Sequence, residues 1–107
     1  MMKNIFLLLT FLSFNCVASD LTVYTLTLKN HRFSPDKITV KAGEKFKLAV
    51  VNLDNSFEEF ESKKLAIEKF VNPKGKLNLV VGPLKPGSYD FFGEFHMKTA
   101  QGTLIAE

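Results

Sequence analysis

Ser88-Tyr89-Asp90-Phe91-Phe92-Gly93-Glu94-Phe95-His96-Met97-Lys98-Thr99-Ala100-Gln101-Gly102 is the stretch around which the chain is organised. It follows a Pro86-Gly87 turn and opens as an aromatic strand with Tyr89, Phe91 and Gly93 on one face, an alternation that would put Tyr89 and Phe91 in the core. It then enters a loop that carries Glu94 and His96, and Gly102 closes the loop before a last apolar strand, Thr103 to Ala106. Strand, polar loop and strand in this order set an acid and an imidazole at the end of a sheet, where a rigid scaffold holds ligands.

Working outward, the same period-two alternation recurs. Leu21 to Leu28 alternates and is rich in β-branched and aromatic residues. Ile38 and Val40 share a face within Lys37 to Lys41, and Phe46, Leu48 and Val50 alternate with Lys45, Lys47 and Ala49. Leu77, Leu79 and Val81 repeat the pattern, the mark of half-buried strands. Lys64 to Val71 suits a strand better than a helical turn. Lys29 to Arg32 reads as a polar break, and Phe33 to Asp36 as a turn around Pro35. Ala42-Gly43-Glu44, Asn52 to Ser56, Asn72 to Gly75 and Gly82-Pro83 punctuate the rest. About seven or eight short strands separated by Gly and Pro argue an all-β sandwich or barrel.

Of the 107 residues, 46% are apolar, with 11 Phe and no Trp, so the core is built on phenyl rings. Lys3, the apolar run Ile5 to Phe14 and Cys16-Val17-Ala18 form a three-part secretory signal too short to span a bilayer. Cleavage is expected after Ala18 or Ser19, which divides the chain into a signal peptide, residues 1–19, and one domain, residues 20–107. An uncleaved anchor and a lipoprotein signal built on Cys16 are the alternatives. The expected compartment is the periplasm, with no membrane insertion of the mature chain. Cys16 is the only cysteine, so the domain has neither a disulfide nor a thiolate for a soft metal. The net charge of +3 falls by one with the loss of Lys3 and is spread over isolated lysines. There is no basic cluster with interleaved aromatics, which argues against nucleic acid as a partner.

Taken in order, Phe33-Ser34-Pro35, Ile38-x-Val40, Ala42-Gly43-Glu44, Val51-Asn52-x-Asp54, Pro86-Gly87-x-Tyr89-x-Phe91, His96 and Gly102-x-Leu104 resemble the cupredoxins over nearly all of the expected domain. The resemblance implies a Greek-key β-sandwich. It also implies a copper site made of two His, a Cys thiolate and a weak axial ligand, often Met. Glu58 stands where the first His falls, Gly93 where the Cys falls and Ala100 where the Met falls; His96 keeps the second His position, and Met97 is out of register. Without a thiolate, blue-copper electron transfer is excluded. The runs Leu28 to Pro35, Glu58 to Ser62, Gly82 to Gly87 and Phe91 to His96 are similar to a narrower group. These are the cysteine-less periplasmic cupredoxin-like proteins of bacterial iron-permease uptake systems. That resemblance implies handling of ferrous iron, with ferroxidase activity left open. It implies as partners an inner-membrane iron permease complex and a periplasmic iron- and copper-binding protein.

The candidate ligands for one iron or copper ion are His96, Glu58, Glu94, His31 and Glu59, since oxygen and imidazole donors suit hard or borderline cations. Glu58 shares the inward phase of Phe60, and a carboxylate aimed into a sandwich needs a partner. Glu59 and Glu61 alternate outward, although a slip of one residue would exchange Glu59 with Glu58. Glu94 is either a ligand or the partner that orients His96. Met97 is either a soft ligand for Cu(I) or packed on Phe92 or Phe95, and Phe92 is either an exposed docking point or covered by a loop. A copper-handling protein using His96 and Met97, and a metal-free interaction module, are the alternatives to iron handling.

Overall fold

The computed structural model describes residues 20–107; the expected signal peptide, with Cys16, lies outside the described residues. Nine strands are arranged in two sheets: β1 Val23–Lys29, β2 Arg32–Ser34, β3 Lys37–Val40, β4 Phe46–Asn52, β5 Glu58–Ser62, β6 Ile67–Val71, β7 Lys76–Val81, β8 Gly87–Gly93 and β9 Gln101–Ala106. One sheet has the order β2-β1-β4-β7, the other β3-β9-β8-β5-β6. The β1–β4 and β3–β9 pairs are parallel and the remaining pairs antiparallel. The chain is all-β, a two-sheet sandwich, as the alternation predicts. Among the described residues no helix is long and apolar enough to cross a membrane.

The inward faces meet on phenyl rings. Phe33 from β2 stands edge-on to Phe60 of β5, with centroids 5.8 Å apart, and to Phe91 of β8 at 5.3 Å. Such pairs contribute about 0.5–1.5 kcal/mol each beyond burial. Leu26, Leu28, Leu48, Val50 and Leu104 fill the space around them. Opposite Phe91 in the β8–β9 register lies Gly102, which has no side chain because the ring lies over it. A Cβ there would stand 2.3 Å from Phe91 Cζ and 2.9 Å from the Asp36 carbonyl. Gly102→Ala is therefore expected to cost about 1–3 kcal/mol by overpacking, read as a lower urea midpoint at unchanged slope.

The structure differs from the sequence reading in three places. Residues 29–36 are not a break and a turn but the β1–β2 hairpin and its exit: Asn30 and His31 have φ of 52° and 59°, the two positive angles of a two-residue hairpin loop. The strand expected over Lys64 to Val71 begins only at Ile67, because the chain first turns through Lys63 to Ala66, closed by the Ala66 N–H to the Lys63 carbonyl at 3.1 Å. Tyr89 is half-buried, with its hydroxyl donating to the Lys85 carbonyl at 2.6 Å; Phe91 is the aromatic residue of that strand that enters the core.

Candidate metal centre

Three loops meet at one end of the sandwich: the Asn30-His31 hairpin turn, the segment between β4 and β5, and the loop from β8 to β9. The last begins with a single 3-10 turn, Glu94–His96. It is pinched shut by the Gly93 N–H to the Ala100 carbonyl and the Ala100 N–H to the His96 carbonyl, both 2.8 Å. Backbone bonds thus fix where His96 leaves the sheet.

Glu58, the first residue of β5, points inward with Phe60 and is only 1% exposed. Its burial is offset by three hydrogen bonds. Oε1 accepts the Glu59 N–H at 2.9 Å and the Phe95 N–H at 2.8 Å, and Oε2 lies 2.7 Å from His96 Nδ1. A carboxylate that accepts main-chain donors on one oxygen accepts on the other as well. Nδ1 is then the donor to Oε2, and in the neutral ring Nε2 of His96 keeps its lone pair on the side away from Glu58. Fixing one ring nitrogen with a carboxylate sets the tautomer and raises the basicity of the other, the usual arrangement behind a metal-binding histidine.

His31 lies against this pair. Its ring stacks on His96 with centroids 3.5 Å apart and planes 12° from parallel. Two oxygens of Asp54 hold the turn that carries it, accepting the Asn30 N–H at 2.7 Å and the His31 N–H at 2.9 Å. Asp54 is in turn placed by Asn52, whose buried side chain accepts the Asp54 N–H at 2.9 Å and donates to the Ser56 and Asn72 carbonyls. Burial alone would raise the Asp54 carboxyl; the His31 and Asn30 N–H bonds, with the charges of His31 and His96, outweigh it and hold the carboxyl below 3.8. A carboxyl depressed on folding stabilises the fold above its unfolded value and loses that contribution as pH falls through its lower folded value. The amides of Asn30 and His31 are therefore expected to lose exchange protection as acid takes the pH below 3.8, and Asp54→Asn to abolish that pH dependence.

The five candidate ligands thus separate. Glu58, His96 and His31 come together. Glu59 and Glu94 do not join them: Glu59 alternates to the outer face of β5, and Glu94 is exposed at the start of the 3-10 turn, where its charge acts on outer-face Glu61. The 3-10 turn breaks the strand phase after Gly93, which is why neighbours in sequence end on different faces. The role of holding His96, open to Glu94 in the sequence, is filled by Glu58. Asp54 and Asn52 were not candidates; their signal was the Asn52-x-Asp54 spacing, which forms a side-chain-to-backbone turn.

A thiolate-copper centre does not fit these residues. A Cβ on Gly93 would lie 2.5 Å from Glu58 Cδ, 2.6 Å from its Oε2 and 2.9 Å from the Ala100 methyl. The carboxylate of Glu58 occupies the space a side chain at position 93 would need. Nor do the stacked imidazoles chelate one ion as they stand. In-plane lone pairs of nearly parallel rings do not converge, whereas two nitrogens on one ion at about 2.0–2.1 Å must both aim at it. His31 can turn, since its Nε2 makes only a 3.5 Å contact with Ser56 Oγ.

Comparison with known proteins sets this geometry in a family. The family model described as Cupredoxin-like domain matches residues 3–106. The chain belongs to the cupredoxin-like domain family. A protein of Rickettsia prowazekii (strain Madrid E) is 45% identical over 80 residues, which are 75% of this cupredoxin-like chain and 64% of the relative. The chain thus spans a little under two thirds of that relative's length. Among solved structures, dithionite-reduced auracyanin from Roseiflexus castenholzii superposes with a TM-score of 0.68 at 13% identity, over 83% of this chain and 99% of auracyanin. The metal-binding domain of the Streptococcus pneumoniae Cu(I)-exporting P-type ATPase, solved with Cu(I), gives 0.71 at 12% identity, over 86% and 91%. At these identities the likeness is one of fold. The fold is shared with a Cu(I)-binding domain, and one end of it in this chain carries Glu58, His96 and His31.

Proposed function

We propose that this cupredoxin-like chain is a periplasmic metal-handling protein that holds ferrous iron at His96 and passes it to an inner-membrane iron permease complex, alongside a periplasmic iron- and copper-binding protein. The observation that carries the reading is the Glu58–His96 pair. A buried carboxylate, itself held by two main-chain N–H groups, takes the Nδ1 edge of an imidazole and leaves its Nε2 edge free of that pairing at a rim where the side chain is 26% exposed. Imidazole with oxygen donors suits borderline cations such as Fe²⁺, Zn²⁺ and Cu²⁺ better than Cu⁺. The sequence similarity to the iron-permease group, with the same vacated cysteine, supports iron over the others. His31 joins by rotating out of its stack.

Exposed Met97, directly after His96, favours one second reading: Cu⁺ held by His96 and Met97, on a fold that copper proteins share. Anaerobic titration separates the two. For iron handling, Fe²⁺ binds with one-ion stoichiometry and shifts the His31 and His96 ring protons as the stack opens. His96→Ala abolishes binding and Met97→Ala leaves it within about twofold. Preferred binding of Cu⁺ that Met97→Ala weakens would overturn iron in favour of copper, and no binding of either ion would overturn both. Oxygen admitted to the iron-loaded protein distinguishes a ferroxidase, which consumes Fe²⁺ faster than buffer does, from a carrier, which does not.

A further inference from the structure

The outer face of the β5–β6 ribbon combines two features that solvation alone does not account for. Glu59, Glu61 and Glu68 project from it with carboxylate oxygens within 4.8 Å of one another, and Glu94 adds its charge at Glu61. Among the described residues the ion pairs are Lys41–Glu44 and Glu58–His96, so these acids stand together without a cation in a chain of net positive charge. Desolvation, then the charges of Glu94, Glu59 and Glu68, hold the Glu61 carboxyl above its usual value, so the crowding is felt on folding. The second feature is aromatic. Phe70, 63% exposed, lies opposite Glu59 in the β5–β6 register. Its ring pairs with that of half-exposed Phe95 at 6.1 Å. Phe92 sits opposite Glu61 on the neighbouring strand and extends the same face. β6 is also the free edge of its sheet.

These features restrict what the face can receive. Nucleic acid and anionic lipid are repelled by the carboxylates. A bare cation would satisfy the acids and leave the phenyl pair in water. A protein surface that sets Lys or Arg around an apolar side chain answers both, since interfaces place aromatic anchors within complementary charge. We infer that the outer face of β5 and β6, with the 3-10 turn, is a docking surface for a second, basic protein. The partner's cations meet Glu59, Glu61, Glu68 and Glu94 while one of its apolar side chains packs on the Phe70–Phe95 pair. The Phe95 N–H is bonded to Glu58, so the aromatic end of this face is tied through its backbone to the residue that holds His96. The inference stands on this face alone and holds whichever ion, if any, His96 carries.

The test is site-specific photocrosslinking in cells that make the protein, with p-benzoylphenylalanine in place of Phe70. Val80, 62% exposed on the other sheet, serves as the control position. The expected result is an adduct from position 70 and none from position 80, joined to a peptide on a Lys- or Arg-rich surface of one other protein. The yield is expected to fall at least about tenfold when Glu59→Lys and Glu61→Lys reverse the charge, because like charges across an interface cost several kcal/mol. If that double variant unfolds, Glu68→Lys with Glu94→Lys, both at exposed positions, is expected to show the same fall. Equal adducts from position 80, an adduct only to another copy of this chain, indifference to charge reversal, or no adduct from position 70 would each overturn the inference.

Discussion

Glu58→Gln is expected to leave the fold in place and to weaken metal binding at His96 by about 10- to 100-fold, the usual effect of losing the partner behind a ligating histidine. The two amides on Glu58 Oε1, from Glu59 and Phe95, can be met only by an oxygen. The glutamine carbonyl must therefore face them, and its NH₂ group must face His96 Nδ1, 2.7 Å from the present Oε2. Nδ1 then becomes the acceptor, the proton moves to Nε2, and the outward nitrogen loses the lone pair a metal needs. Shape is conserved and each bond is kept in neutral form, so stability is expected to fall by only about 1 kcal/mol. Three measurements check this together: imidazole ¹⁵N shifts for the tautomer, anaerobic titration for affinity, and urea denaturation for stability. An inverted tautomer with unchanged affinity would exclude Nε2 as the ligand atom; an unchanged tautomer would show that Glu58 does not set it. Glu58→Ala leaves two buried N–H groups unpaired beside a cavity, and so reads stability and not tautomer.

The sandwich was legible because half-buried strands write their period into the sequence, and the inward phase of Glu58 could be read from Phe60 two residues later. The surroundings of Glu58 could not be read in the same way. Its partners come from residues 59, 95 and 96, and the last two reach it only because the loop after Gly93 folds into a 3-10 turn closed by Ala100. The same turn carries Glu94 away to the outer face, so reading ligands from nearness to His96 in sequence misplaces it. The hairpin turn that carries His31 was hidden for another reason. Two-residue hairpin loops announce themselves by Asn-Gly or Asp-Gly, and Asn30-His31 has no glycine. A histidine adopts φ of 59° here because Asp54, from a distant loop, holds both amides of the turn. That is a tertiary bond overriding a local preference, and a single sequence does not display it.

The Glu58 carboxylate fills the space beside Gly93, which leads to a large coupling between positions 58 and 93. Gly93 is extended, with φ of −98° and ψ of 117°, so its backbone accepts any residue and the obstacle to a side chain is steric alone. Gly93→Ala drives a methyl to 2.5 Å from Glu58 Cδ, with the Ala100 methyl at 2.9 Å closing another side. The carboxylate has to leave its bonds to Phe95 N and His96 Nδ1. The expected cost in the native background is about 3 kcal/mol, at the upper end for overpacking because buried hydrogen bonds go with it. Once Glu58→Ala has emptied the space, the same methyl fills part of a cavity, and Gly93→Ala is expected to be neutral or mildly stabilising. The double-mutant cycle should therefore return a coupling energy of about 2–3 kcal/mol, well above the few tenths found for independent sites. Additive costs would mean that the Glu58 side chain moves aside freely, and its hold on His96 would then be too weak to fix a tautomer. Strong coupling would mean that position 93 cannot carry a side chain, a cysteine included, while Glu58 remains in place. The carboxylate that keeps position 93 bare is then the same one that orients the histidine.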